Sequence, residues 1–184
     1  MRLFAAIPVE GEGRAGLEGV LAALGPMGWP VRWTRPGQLH LTVKFLGEVE
    51  AARVAEVTDA LAQASAGMAP LGFTLADLGA FPSLQRARVL WAGLEAEGAL
   101  ELMVDRVERG CHALGFPIEG RPFRPHVTLG RVKEHGHLPR EAGERLAELT
   151  PTGNFLGDRL VLYHSQLGPG GPRYEALATF AFGG

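Results

Sequence analysis

Cysteine, lysine and tyrosine are scarce in this chain: one cysteine (Cys111), two lysines (Lys44 and Lys133) and two tyrosines occur in 184 residues. A single cysteine excludes an intramolecular disulfide framework and suits a reducing compartment. Charge of one sign is also lacking. Eighteen Lys and Arg oppose 20 Asp and Glu, for a net charge of -2 and no long single-sign run, so a protein that coats polyanions is excluded and any nucleic-acid contact must be local. No apolar stretch approaches the ~18 residues of a membrane span, and the N-terminus, Met1-Arg2-Leu3-Phe4-Ala5-Ala6-Ile7-Pro8, lacks the apolar core and cleavage site of a signal peptide. The expectation is a cytoplasmic protein with no membrane partner. What is abundant is apolar area, 46% of residues, enough for the core of one domain spanning 1–184.

Periodicity predicts strands at Arg2 to Pro8, Leu39 to Leu46, Gly72 to Leu78, Arg88 to Leu94, His126 to Val132, Arg159 to Gln166 and Tyr174 to Phe182. Helices are predicted at Arg14 to Leu24, Ala51 to Ala64, Gly98 to Leu114 and Pro139 to Leu149. The second half repeats the order of the first. An offset of 86 places His126 on His40, Arg88-Val89-Leu90-Trp91-Ala92 on Arg2-Leu3-Phe4-Ala5-Ala6, and Tyr174-Glu175-Ala176-Leu177 on Arg88-Val89-Leu90-Trp91. The fold class predicted is α+β: a duplicated two-lobed fold, each lobe a mainly antiparallel sheet with helices outside, and an active-site groove between the lobes.

The repeat sets two motifs in equivalent strands, His40-Leu41-Thr42-Val43 and His126-Val127-Thr128-Leu129. Side chains alternate along a strand, so each lobe offers one imidazole and one hydroxyl on the same face, with the apolar residues turned to the core. Two imidazoles and two hydroxyls without a carboxylate cluster suit a phosphate diester. One neutral histidine takes a proton from water, the other, protonated, gives one to the leaving oxygen, and the hydroxyls hold the non-bridging oxygens. Opposite protonation states predict a bell-shaped pH profile around neutrality. A lone His-x-Thr on a strand is common; two in the same register of a repeat are not.

The segments Arg2-Leu3-Phe4-Ala5-Ala6-Ile7, Leu39-His40-Leu41-Thr42-Val43-Lys44-Phe45-Leu46-Gly47 and Phe123-Arg124-Pro125-His126-Val127-Thr128-Leu129-Gly130-Arg131 closely resemble the bacterial and archaeal 2'-5' RNA ligase family of the 2H phosphoesterase superfamily. The resemblance extends over the whole chain, through Phe73, Val89-Leu90-Trp91, Ser165 and Tyr174. It implies an RNA 2',3'-cyclic phosphodiesterase that opens a terminal cyclic phosphate to a 2'-phosphate, with reversible 2'-5' joining and no cofactor. It also implies His40 as proton donor and His126 as acceptor, roles that the repeat itself leaves open. The partner implied is an RNA end, tRNA fragments included, met by a monomer.

Further residues carry weaker expectations. Thr42 and Thr128 are phosphate-binding candidates. Lys44 shares the face of His40 by strict alternation, which makes it either a phosphate contact or a solvated strand end. Arg131 is implied as a phosphate contact by the resemblance, yet alternation turns it away unless the strand bends at Gly130. Arg124, Phe45 and Tyr174 are substrate-binding candidates, the aromatics as base-stacking platforms, although core packing competes for Phe45. Trp29, Trp33 and Trp91 are expected in the lobes' cores. His135 and His137 could ligate zinc with a third residue, but no His-Glu-x-x-His or paired Cys-x-x-Cys motif exists, and no metal is expected. Gly168-Pro169-Gly170-Gly171-Pro172 lacks the Gly-Lys-Ser/Thr ending of a phosphate loop and reads as a hairpin turn. Three other readings remain: a cyclic phosphodiesterase on small nucleotides or ADP-ribose cyclic phosphate, a non-catalytic RNA-binding module, and a metal hydrolase.

Overall fold

In the computed structural model, residues 1–169 and 171–183 are described. Strand β1 (Arg2–Pro8) has five successive buried residues, Leu3 to Ile7, and a strand buried on both faces must lie inside a sheet. It pairs antiparallel with β3 (His40–Glu48) on one side and β8 (Arg159–Gly168) on the other. Its counterpart β5 (Val89–Glu97) lies between β4 (Leu71–Phe81) and β6 (His126–Val132). Edge strands β9 (Gly171–Ala181) and β7 (Asn154–Gly157) extend the two sides, giving the order β7-β4-β5-β6-β3-β1-β8-β9. A short β2 (Val31–Trp33) joins β6 off this path. The sheet is antiparallel throughout the described pairings, as expected, and divides into a lobe of β7, β4, β5 and β6 with β2 beside it and a lobe of β3, β1, β8 and β9, which meet at the pair Leu41↔Val127.

Each lobe draws strands from both halves of the chain. β3 and β1 stand with the C-terminal hairpin β8-β9, whereas β6 and β5 stand with β4 from the first half. Helices cross over in the same way. α1 (Gly11–Leu24) and α4 (Ala142–Glu148) pack on the β4 lobe, while α2 (Val54–Ser65) and α3 (Leu100–Ala113) pack together against the β3 lobe. The 86-residue offset therefore holds for β1 and β5, β3 and β6, and β4 and β8. It fails for β5 and β9: β5 is central beside β6, and β9 is an edge strand. That part of the repeat is a likeness of two strand patterns, not of two positions.

Helix α1 begins three residues before its expected start. Gly13 and Gly16 weaken a helix on propensity alone, but here they admit a close crossing: a Cβ at Gly16 would run into the Thr152 carbonyl oxygen, and one at Gly13 into the Phe155 ring. β2 and β7 escape periodicity because three and four residues carry too little pattern. In the expected turn at 168–172, Gly170 lies outside the described residues; Gly168 and Gly171 on either side are paired.

Candidate active site

Leu41 and Val127, both fully buried, face each other where β3 meets β6. In antiparallel register the residue before one stands across from the residue after the other, so His40 faces Thr128 and Thr42 faces His126. All four are half-buried on the surface opposite the core. The two strands share one burial sequence: half-buried and buried positions alternate through the His-x-Thr-x motif, and then two successive residues are buried, Val43-Lys44 in β3 and Leu129-Gly130 in β6. The cause is a β-bulge in each. Ala6 pairs with Thr42 but Ala5 with Lys44, and Trp91 pairs with Thr128 but Leu90 with Gly130. An extra residue in one strand reverses the facing of everything after it.

This reversal corrects Lys44. Its side chain is 6% exposed, and its ammonium donates to Glu108 Oε2 at 2.7 Å, Glu108 Oε1 at 2.9 Å and the Pro117 carbonyl at 2.7 Å. An ammonium has three N–H donors, so none is left for a phosphate. The same reversal turns Arg131 into the groove, the irregularity lying at Leu129, one residue before the bend expected at Gly130. It also exposes Phe45, 60% accessible, on the groove wall instead of in the core. Gly130 stands at the position equivalent to Lys44, and a Cβ there would approach Val31 Cγ1 to 2.6 Å; β2 occupies the space a side chain would need.

Each imidazole is anchored alike. His40 Nδ1 lies 2.7 Å from the Gln38 carbonyl oxygen, and His126 Nδ1 lies 2.6 Å from that of Arg124. A carbonyl only accepts, so Nδ1–H donates and Nε2 is left for proton exchange in both rings. Residues 38 and 124 are related by the same 86-residue offset. Arg124 thus contributes its backbone; its side chain is exposed at the rim. Behind His40 stand Phe4 at 5.0 Å and Tyr174, edge-on, at 5.3 Å; behind His126 stand Phe81, edge-on, at 5.0 Å and Trp91 at 6.4 Å. Trp91, expected in a core, is half-buried here; Trp29 and Trp33 pack against the core.

Burial pushes His40 from 6.5 down to about 4; the Gln38 carbonyl opposes the shift, and Arg131 and His126 add to it. His40 is therefore neutral near pH 7 in the free protein, which places one limb of a bell-shaped profile well below neutrality. Burial also raises the Tyr174 phenol above its ordinary value, against the pull of Arg131 and Arg2.

A groove of about 510 Å³ opens in front of His40, with Thr42, Phe45, Thr128, Arg131 and Tyr174 on its walls. Arg2, Arg32, Arg35 and Lys133 line it as well, against one carboxylate, Glu134. A chain with net charge -2 thus gathers five cations around one groove, the setting for an anion. His126 borders an adjoining cavity of about 230 Å³ with Asp77, Phe81, Trp91 and Arg124. A wider depression between α1 and residues 149–153 offers Glu12 and two threonines and no histidine or arginine. Among the described residues, no cluster of three or more His, Cys, Asp and Glu is placed to hold a metal ion.

Sequence reasoning missed Gln38, Arg32 and Phe4. The offset from Arg124 to Gln38 was a usable signal; Arg32 lies in the strand too short to detect.

Comparisons with known proteins place the chain in a family and a fold. The family model described as LigT like phosphoesterase fits twice, over residues 8–91 and 93–174. A Thermotoga maritima protein named RNA 2',3'-cyclic phosphodiesterase is 30% identical over 100% of this chain and 97% of its own length. A Geobacillus stearothermophilus protein of the same name is 34% identical over 80% of this chain, which spans 46% of that relative's length. Among solved structures, TT0787 of Thermus thermophilus superposes with a TM-score of 0.82 at 29% identity, covering 99% of this chain and 98% of that one. Escherichia coli LigT complexed with 3'-AMP gives a TM-score of 0.77 at 27% identity, covering 100% and 98%.

Proposed function

Because the chain belongs to the LigT-like phosphoesterase family, we propose that it is an RNA 2',3'-cyclic phosphodiesterase that opens terminal cyclic phosphates to 2'-phosphates by paired histidine acid-base catalysis. The observation that carries this reading is the symmetry of the site. Two imidazoles have Nδ1 fixed on equivalent carbonyls and Nε2 free, and each stands across from the other's threonine, His40 and both threonines on the cation-lined groove and His126 at the cavity beside it.

In the proposed step, His126 Nε2 takes a proton from water as the water oxygen bonds to phosphorus. The P–O3' bond breaks, and His40 Nε2–H protonates the departing O3', which leaves a 2'-phosphate and a 3'-hydroxyl. Thr42, Thr128 and Arg131 hold the non-bridging oxygens and answer the charge that builds on them. The donor role requires His40 to be protonated, against its low value in the free protein. The diester anion supplies the compensation: seated between His40 and Arg131, it offsets the guanidinium and favours the imidazolium. With a 5'-hydroxyl in place of water, the same proton transfers join RNA ends through a 2'-5' linkage. Phe45 and Tyr174 border the groove as aromatic platforms for the terminal base. The proposal includes tRNA fragments among the substrates and action as a cytoplasmic monomer. No helix among the described residues is long and apolar enough to cross a membrane.

The test is incubation, in excess EDTA, with a short RNA ending in a 2',3'-cyclic phosphate. Wild type is expected to give the 2'-phosphate, and His40→Ala and His126→Ala each to lose about 10²- to 10⁴-fold. Silence of the wild type on this RNA, with turnover of ADP-ribose cyclic phosphate or only after metal addition, overturns the reading.

A further inference from the structure

Arg32 and Arg131 are direct cross-strand partners in the β2-β6 register, both exposed and both lining the groove. Like charges placed opposite each other in a sheet repel and weaken the pairing. Among the described residues, neither guanidinium forms an ion pair, and the nearby Glu134 carboxylate lies 3.7 Å from His135 Nε2 instead. The Arg32 stem passes beside the β8-β9 hairpin: a Cβ built on Gly171 would meet Arg32 Cδ at 3.6 Å. A stem beside the hairpin, a repelling neighbour and, among the described residues, no ion-pair partner describe a cation held ready for an anion from outside.

Strand rise sets the distance along the sheet. Arg131 follows Thr128 by three residues in β6, one of the intervening steps being absorbed by the bulge, which at about 3.3 Å per residue sets the backbone of the Arg131-Arg32 pair about 7–10 Å from Thr128. Arg131 is long enough to reach back to the reacting phosphate, which leaves Arg32, across the strand from it, for an anion about one nucleotide farther on. We propose that Arg32 binds a second phosphate, the one on the 5' oxygen of the nucleotide whose cyclic phosphate is opened, which in an RNA chain is the adjoining phosphodiester. The inference rests on the proposed function and deepens it, because such a contact selects substrates that continue past the terminal ribose.

The experiment compares three substrates: a nucleoside 2',3'-cyclic phosphate with a free 5'-hydroxyl, the same compound with a 5'-phosphate, and a dinucleotide with the same cyclic end. For wild type, kcat/KM is expected to rise about tenfold when the 5'-phosphate is added, the scale of one hydrogen bond to a charged group. Arg32→Gln removes that gain and leaves the bare nucleoside untouched, and Arg32→Lys keeps part of it. A gain in both phosphorylated substrates identifies any 5'-phosphate as the ligand; a gain confined to the dinucleotide, and lost in Arg32→Gln, identifies the diester. An equal loss on all three substrates, or a gain that survives Arg32→Gln, overturns the inference. A binding arm stands apart from turnover. For a short RNA ending in a 2'-phosphate, the slope of log affinity against log salt should shrink by about 0.7 in Arg32→Gln. An unchanged slope overturns the assignment even if the protein proves to have a different activity.

Discussion

At the scale of single residues, titration and charge pairing separate the groups that serve the groove from those that serve the core. His40 loses its proton in the folded protein near 4 and in the unfolded chain near 6.5, so between those values the unfolded chain binds more protons. Stability is thus undiminished above 6.5 and falls as the pH drops toward 4. His40→Ala should flatten that fall in a chemical-denaturation series, and an unchanged slope would show that the ring is not buried as described. The acidic limb of kcat/KM should lie near 4 and move upward in Arg131→Gln, since that guanidinium is one of the groups holding the value down. Lys44 makes the opposite case. Lys44→Met strands Glu108, 16% exposed, without its partner and should cost about 3–5 kcal/mol of unfolding free energy. Turnover by the fraction that remains folded should be near that of wild type. Loss of kcat without loss of stability would restore Lys44 to the phosphate.

At the scale of elements, alternation carried the sequence reading as far as each strand stayed regular, and no further. His40, Thr42, His126 and Thr128 fall before the bulges, and period-2 reasoning placed them correctly on one face. Lys44, Phe45 and Arg131 fall after them: strict alternation put Lys44 on the wrong side and let Arg131 reach the groove only through a bend, and core packing competed for a Phe45 that lies exposed. Nothing in Val43 or Leu129 marks an extra residue, because a bulge is set by pairing with β1 and β5, strands more than 30 residues away in sequence. Gly130 was the one legible hint, and its reason is packing against β2. Gly130→Val should drive Val31 and Trp33 away from β6 and destabilise the protein by about 1–3 kcal/mol, the usual cost of overpacking. It should also weaken Arg131-dependent binding, because β2 braces the strand that carries Arg131. A variant as stable as wild type would mean that β2 is held loosely.

At the scale of the whole molecule, the repeat was visible in the chain but the exchange between its halves was not. An offset of 86 residues records likeness between segments, and the family model's two matches, beginning at 8 and at 93, record it again. Neither says which lobe a segment enters, since that is decided by long-range pairing. The exchange has a physical consequence. The first half supplies β1 and β3 to one lobe but β4 to the other, and β8-β9 from the second half completes the lobe that β1 begins. Neither half owns a finished sheet. Alone, residues 1–86 would leave β1 without β8, β3 without β6 and β4 without both β5 and β7, exposing four strand edges and the buried faces of Leu3, Ile7 and Phe73. Separately expressed halves, cut in the exposed stretch between β4 and β5, are therefore expected to show no cooperative thermal transition, and to regain both the transition and the groove when co-expressed. A cooperative transition in the first half alone would mean that the lobes are independent copies, and the crossed connectivity would then have no part in holding the two histidines together.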